Sequence, residues 1–368
     1  MKKNLIRNIG FVLLIALWAV LAAAAWLKPN GDVSVSERRK LAQFPEFSVD
    51  ALLSGEFVTE FEDYTLDQFP LRDSFRRLKA WFHYNVLQQQ DNNGIIFSDG
   101  HAAKLEYPLD EKSVSNALSK FNSLYEKYLK NTGSKVYAAV VPDKNYYLSG
   151  QGEGLAMDYD RLFEMVQDGM LYASYVNLTD SLALEDYYFT DTHWRQEKLF
   201  PAAQTLCQAM GVPVPNCADY TITEATGEFY GVYYGQAALP LEPEPLYLLQ
   251  NSMLSACRVY NHESGRYSGL YDMEKLSGND PYEVYLSGTT ALLTIENPMA
   301  KSNRELIVFR DSFGSSIIPL LVQGYKKVTV VDTRYISGDM LGQFIQFRGQ
   351  DVLFLYSSLI LNSSYTLK

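Results

Sequence analysis

Two short segments of the sequence carry residue types that can act together in nucleophilic chemistry. The first is FRDSFG (309–314), which lies between a strand predicted over 305–309 and a helix predicted over 315–323. A serine on such a turn lies at the carboxyl end of a sheet, where open α/β folds bind ligands, and the helix N-terminus offers N–H groups to an oxyanion. Asp and Ser also cap helices widely. Ser312 is therefore a candidate nucleophile or a helix cap.

The second segment is YYFTDTHW (187–194), in which Asp191 and His193 are two residues apart. At this spacing a carboxylate can contact the imidazole, fix its tautomer and stabilise the imidazolium. The alternative is a histidine hydrogen-bonded in a loop. The sequence has four histidines; we expect His83 to be structural or exposed and His101 and His262 to be exposed. His193 is thus the candidate base for Ser312, with Asp191 as its orienting acid.

Other polar residues are predicted near the same edge of the sheet. Lys144 and Asn145 follow a strand predicted over 135–141 and are candidate substrate contacts, although a plain surface lysine is the alternative. Three further candidates for substrate contact are Arg310, Arg334 and Trp194. For the two arginines the alternative is a structural salt bridge.

Composition excludes several function classes. The 368 residues carry a net charge of −11, which argues against a general nucleic-acid binder because such proteins need a basic face for phosphates. The four histidines and three cysteines form no zinc spacing, and neither an EF-hand nor a phosphate-binding glycine loop occurs. We therefore expect no metal and no cofactor. Cys207 and Cys217 flank a short turn and could form a disulfide, or all three cysteines could be free.

The N-terminus carries a candidate membrane segment. Lys2, Lys3 and Arg7 precede an uncharged apolar run over 9–27, close to the roughly 20 residues that cross a hydrocarbon core. The positive flank is expected to stay in the cytoplasm, which leaves the rest of the chain outside. A signal-peptidase site over 22–25 would make the segment a cleaved leader, but the length of the run favours an uncleaved anchor. In both cases the body of the protein is extracytoplasmic.

Hydrophobic periodicity predicts an α/β domain behind this anchor. Helical spacing over 49–87 is broken at Pro70, turn residues over 92–100 indicate a hairpin, and a helix is predicted over 113–129. From residue 305 onward the sequence predicts alternating strands and helices: strand, helix, strand, a helix around 340–347 and a strand over 352–356. This alternation is typical of a parallel sheet. We predict an anchor or signal peptide (1–28), a juxtamembrane linker and helical segment (29–90), and an α/β domain (91–368) with a β-rich insertion at about 221–297.

Several phrases resemble a known family. YYFTDTHW, FRDSFG, NNGIIF, VVPDKNYYL, EFYGVYYGQ and VVDTRY are similar to segments of the DHHW protein family and of the alginate O-acetylation proteins of the SGNH-hydrolase-like superfamily. One departure is Thr192, which stands where the namesake motif has its first histidine. The resemblance implies a flavodoxin-like SGNH fold in which Ser312 is the nucleophile, His193 the general base and then acid, and Asp191 its orienter.

The resemblance also implies three alternative functions. The first is an anchored O-acetyltransferase that modifies an extracellular or cell-wall polysaccharide, with the acetyl donor delivered through a membrane-bound O-acyltransferase partner. The second is a carbohydrate esterase that uses the same three residues with water as acceptor. The third is a non-catalytic glycan-binding subunit that has kept the fold.

Overall fold

The computed structural model describes residues 2–149, 155–239 and 241–368, with side chains from Arg7 onward. The chain divides into two compact units. The first comprises Met1–Asn92 and Tyr234–Pro240, and the second comprises Asn93–Tyr233 and Leu241–Lys368. All the predicted site residues fall in the second unit.

The first unit is mainly helical. Its helices are α1 (Lys2–Leu27), α2 (Val49–Ser54), α3 (Glu56–Asp67) and α4 (Arg72–Trp81), and α4 continues as a π-helical turn over Phe82–Val86. Its short strands are β1 (Val33–Ser34), β2 (Arg39–Lys40) and β3 (Asp91–Asn92). The predicted break at Pro70 is confirmed, since α3 ends at Asp67 and α4 starts at Arg72.

Helix α1 is long and apolar enough to cross a membrane. Its segment Arg7–Leu27 has a mean hydropathy of 2.4 and is almost wholly exposed. A helix of 26 residues is about 39 Å long at about 1.5 Å per residue, more than a hydrocarbon core of about 30 Å. A single-pass anchor and a signal sequence both fit this helix.

The described residues of the second unit form twelve strands and most of the helices. The strands are β4 (Ile95–Ser98), β5 (His101–Lys104), β6 (Val136–Val141), β7 (Ser174–Tyr175), β8 (Thr221–Phe229), β9 (Glu244–Gln250), β10 (Arg258–Asn261), β11 (Arg266–Ser268), β12 (Leu292–Glu296), β13 (Glu305–Arg310), β14 (Lys327–Val331) and β15 (Asp351–Ser357). The helices are α5 (Glu111–Leu124), α6 (Lys144–Ser149), α7 (Tyr159–Gly169), α8 (Phe200–Met210), α9 (Val232–Ala237), α10 (Ser252–Ala256), α11 (Gly314–Leu321) and α12 (Ser358–Asn362). Helix α9 crosses the boundary between the units.

An eight-stranded sheet forms the centre of this unit, in the order β11-β10-β12-β14-β13-β15-β6-β7. The strands from β14 to β7 are parallel, and Val308 of β13 lies opposite Val330 and Leu353 of its neighbours. Alternate residues of these strands pack into two hydrophobic clusters, one with α8 and α11 and the other with α5 and α7. Helices thus cover both faces, as continuous apolar strands require. The predicted fold class is confirmed.

Two segments differ in detail from expectation. Only part of the predicted insertion over 221–297 is separate, as the antiparallel pair β8–β9, because β10, β11 and β12 extend the central sheet with antiparallel strands beyond β14. The helix predicted around 340–347 is a 3₁₀ turn over Gly338–Gln343. Glycines at both 338 and 342 disfavour a regular helix there.

Candidate active site

The segment 187–194 is folded back on itself so that Asp191 meets His193. An antiparallel bridge joins Tyr187 to Trp194, and the Tyr188 N–H donates to the His193 carbonyl at 3.1 Å. Within this loop the Asp191 Oδ1 accepts the backbone N–H of His193 at 3.0 Å, a local bond that aspartate side chains make readily in turns. The second oxygen of Asp191 accepts the Val232 N–H at 2.8 Å, so the carboxylate is held from both sides.

The turn that carries Ser312 is held by its neighbour Asp311. One Asp311 oxygen accepts the Phe313 N–H at 3.0 Å, and the other accepts the Ser357 N–H at 2.7 Å, at the end of β15. Gly314 starts α11 where a Cβ would lie 2.7 Å from the Arg310 Cβ, so the close approach of strand and helix requires glycine. The turn therefore fixes Ser312 at the carboxyl end of β13.

The structure brings Asp191, His193 and Ser312 into one chain of hydrogen bonds. The Ser312 Oγ lies 2.8 Å from His193 Nε2, and His193 Nδ1 lies 2.6 Å from Asp191 Oδ1. Because the carboxylate can only accept, we assign the Nδ1–H tautomer, which leaves Nε2 free to accept the serine proton. Asp191 and His193 are buried, whereas Ser312 is partly exposed. This arrangement can remove a proton from a serine that substrate can reach.

Tyr282 supports the imidazole and was not predicted. Its ring is stacked on that of His193, with centroids 3.8 Å apart and planes within 8°. The Tyr282 hydroxyl lies 2.7 Å from Ser316 Oγ, which also accepts from Trp194 Nε1 at 2.9 Å. Tyr282 therefore links the His193 ring to Ser316 of helix α11, the helix that follows Ser312. Trp194, the residue after His193, binds the same serine. No sequence signal marks Tyr282 among 27 tyrosines.

Two buried ionisable groups clamp the start of the same loop. The Glu244 carboxylate accepts the N–H groups of Phe189 and Thr190, both at 3.0 Å. The Lys144 Nζ donates to the carbonyls of Tyr188 and Phe189 at 2.9 and 3.2 Å. Burial lowers the pKa of Lys144 to about 7 and raises the pKa of Glu244. Neither role was predicted for these groups, and Glu244 had no signal in the sequence.

The residues predicted to contact substrate lie close by, but their polar atoms have protein partners. Lys144 and Asn145 are each only 2% exposed, and Asn145 Nδ2 donates to the Leu155 carbonyl at 3.1 Å. The fully buried Trp194 donates to the Phe313 carbonyl as well as to Ser316. The side chains of Lys144, Asn145 and Trp194 therefore bind protein groups around the serine in this structure, and direct substrate contact stays a prediction.

The two arginines make the salt bridges given above as the alternative. Arg334 Nε and Nη2 bind the two oxygens of Asp332 at 2.9 and 2.6 Å. Arg310 is fully buried, with Nη1 3.6 Å from Asp332 and Nη2 donating to the Gly288 carbonyl. Burial lowers the pKa of Arg310, which the Asp332 carboxylate opposes. Both guanidinium groups therefore brace the end of the sheet.

His101 and the three cysteines are not part of the chain of hydrogen bonds formed by Asp191, His193 and Ser312. His101 was expected to be exposed but is 2% exposed, edge-on to Phe189 at 4.7 Å, and burial lowers its pKa to about 4. Cys207, Cys217 and Cys257 are free thiols, so of the two alternatives the structure has no disulfide. Within the described ranges, no group of three or more His, Cys, Asp or Glu side chains is arranged to hold a metal ion.

Part of the chain matches a known family, and its fold is similar to solved structures. The model of the DHHW protein family matches residues 149–331 of this chain. Among solved structures, a DHHW family protein from Eubacterium siraeum has a TM-score of 0.61 at 22% identity, covering 74% of this chain and 93% of its own. Bacillus cereus PatB1 with a sulfonyl adduct has a TM-score of 0.61 at 21% identity, covering 73% and 95%. The O-acetyltransferase domain of Pseudomonas putida AlgJ is more distant, at a TM-score of 0.46 and 14% identity, covering 74% and 95%. No curated protein matches the chain significantly.

Proposed function

We propose that the chain is a membrane-anchored, extracytoplasmic acyltransferase of the SGNH type that moves an acetyl group through an acyl-serine onto an extracellular or cell-wall polysaccharide. The observation that carries this proposal is the chain of hydrogen bonds from Asp191 through His193 to Ser312. Acetyl as the group transferred is supported by the motifs that resemble the alginate O-acetylation proteins. Anchoring is supported by helix α1.

In the proposed first half-reaction, Ser312 Oγ attacks the donor carbonyl while His193 Nε2 takes the hydroxyl proton. The new Oγ–C bond produces a tetrahedral oxyanion close to the start of α11, where the positive end of the helix dipole favours negative charge. The leaving group departs with the proton from Nε2, and the acyl-serine remains. Asp191 stabilises the imidazolium that exists between these two proton transfers.

In the second half-reaction a sugar hydroxyl attacks the acyl-serine. Its proton passes to Nε2 as the new ester bond forms, and the Oγ–C bond then breaks as Nε2 returns the proton to Ser312. Water in place of the sugar gives an esterase by the same steps. Helix α1 would hold the chain at the membrane that contains a membrane-bound O-acyltransferase partner, the proposed source of the acetyl group.

The test uses full-length protein in detergent and p-nitrophenyl acetate as donor. We expect acetate release by the wild type, loss of release in Ser312→Ala, and unchanged release in Ser119→Ala, a matched change at an exposed serine of α5. A sulfonyl fluoride should label Ser312 alone. An unchanged rate in Ser312→Ala would remove this serine as nucleophile, and the absence of labelling with glycan binding retained would favour a non-catalytic subunit.

A second measurement separates transfer from hydrolysis. Acetate released to water is compared with acetate found on an added oligosaccharide, in the wild type and in Ser312→Ala. Transfer that depends on Ser312 supports the acyltransferase. Release without any transfer, over a range of oligosaccharide acceptors, would assign the esterase.

A further inference from the structure

Helix α4 and its π-helical extension turn their apolar side chains outward. Leu71, Phe75, Leu78, Phe82 and Val86 are spaced by three or four residues and are 68, 44, 58, 45 and 49% exposed. This spacing places them on one face of a helix. We call this face the outer stripe. In a helix that packs against a protein core, such a stripe is the buried face.

The opposite face of α4 is fixed by ion pairs, so the outward direction of the stripe is set by structure. Arg72 Nη1 lies 2.6 Å from a Glu37 oxygen, and Arg76 Nη2 lies 3.1 Å from the other. Arg76 also donates to the Gly235 carbonyl at 2.7 Å, and Ala80, on the same side, is fully buried. Turning the stripe inward would break all these bonds and bury charged groups without partners.

We propose that the outer stripe lies in the interfacial layer of the lipid bilayer that α1 crosses. Gln68, three residues before the stripe, is bound to the chain that leaves α1: its carbonyl accepts from Lys28 Nζ at 3.0 Å, and its amide exchanges two bonds of 2.9 Å with Gly31. Three residues span at most about 10 Å. The stripe therefore begins within reach of the headgroups around the end of α1.

The residues beside the stripe have the chemistry of an interfacial helix. Trp81 is 53% exposed, and tryptophan favours the headgroup level of a bilayer. Arg77 and Lys79 are exposed on the same helix and can meet anionic headgroups. Apolar and aromatic residues on one face and basic residues beside them are typical of helices that lie in a membrane surface. This assignment rests on the anchoring part of the proposed function.

The test places an environment-sensitive fluorophore at single cysteines of the full-length chain in nanodiscs that contain anionic lipid. Cys217→Ser removes the exposed native thiol, while Cys207 and Cys257 are buried, with pKa values raised by burial to about 12 and about 11. Labels at Leu78→Cys, in the stripe, and at Asp73→Cys, on the polar side of α4, form a matched pair. Each label is challenged with a spin-labelled lipid and with iodide in the aqueous phase.

We expect quenching by lipid at Leu78→Cys several-fold above that at Asp73→Cys, with the opposite order for iodide. A third label at Leu17→Cys reports whether α1 is inserted. If iodide quenched the labels at positions 73 and 78 equally while lipid quenched the label at position 17, the stripe assignment alone would be overturned. If lipid did not quench the label at position 17, the anchor and the stripe would be overturned together. If the Leu78→Cys label were protected from iodide in native membranes but not in nanodiscs, the stripe would be assigned to a protein partner, against this proposal.

Discussion

Replacement of Asp191 by asparagine tests the proposed role of the carboxylate in catalysis. In the wild type, Oδ1 accepts two N–H groups of His193 and Oδ2 accepts that of Val232. An amide offers one acceptor and one donor in place of two acceptors. In Asp191→Asn the amide NH₂ therefore faces another N–H donor, either that of Val232 or the two of His193.

The expected loss can be worked out for both orientations. With the amide oxygen at the Oδ1 position the tautomer is kept, but the charge beside the imidazolium is lost; two unit charges about 4 Å apart interact by about 4 kcal/mol at an effective dielectric constant of about 20. That corresponds to about 10³-fold in rate. With the amide nitrogen at that position the imidazole is forced into the wrong tautomer, which in a serine protease lowers kcat about 10⁴-fold. We expect a loss between these limits.

The assay is kcat/KM for p-nitrophenyl acetate, with Asp219→Asn as a control at an exposed aspartate. Because Asp191 is buried, a thermal melt of each variant must accompany the rates. A folded Asp191→Asn protein with kcat/KM within tenfold of the wild type would refute the proposed role of this carboxylate. A large loss in the Asp219→Asn control would show that the assay does not report on the site.

Two further predictions concern residues around the site. Tyr282→Leu removes the ring stacked on His193 and should lower kcat by about fivefold, from an aromatic pair of about 1 kcal/mol, with KM little changed; Tyr282→Phe should retain more activity, and equal losses would contradict a role for the ring. Burial raises the pKa of Asp143 from 3.8 to about 6, so the native carboxylate is destabilised above pH 6 and this cost fades as the pH falls towards 4. Asp143→Asn should therefore raise the free energy of unfolding at pH 8 by at most about 3 kcal/mol, and denaturant unfolding that gives the same difference at pH 8 and pH 4 would contradict the shift.

The sequence predicts the parallel strands well because their signal is local. β6 and the central residues of β13 and β15 are continuous apolar runs, and Thr329 is the one polar residue in the interior of β14. This is the pattern of strands buried on both faces. The proposed nucleophile and base stand out for the same reason, since the strand-to-helix turn and the Asp–x–His spacing are each contained in a few residues. Their contact across the fold is the part that only the structure supplies.

The supporting residues could not be predicted because their partners are distant in the chain. Glu244 reaches the loop that holds Asp191 from the start of β9, which is paired with β8, and Tyr282 reaches His193 from a 3₁₀ turn with no motif of its own. The burial of His101 depends likewise on Phe189, which packs against its ring and is far along the sequence. Periodicity assigns such residues to elements but does not assign their neighbours.

The departure at Thr192 from the namesake motif leaves the hydrogen bonds between Asp191, His193 and Ser312 intact. Residues 191 and 193 face each other because Asp191 Oδ1 accepts both the backbone and the ring N–H of His193. Residue 192 takes no part in the hydrogen bonds that connect Asp191 to His193 and His193 to Ser312. The bridge of Tyr187 to Trp194 and the clamp of Glu244 and Lys144 hold the loop through other atoms. A threonine at 192 is therefore compatible with the complete chain of hydrogen bonds, and a second histidine is not needed to form it.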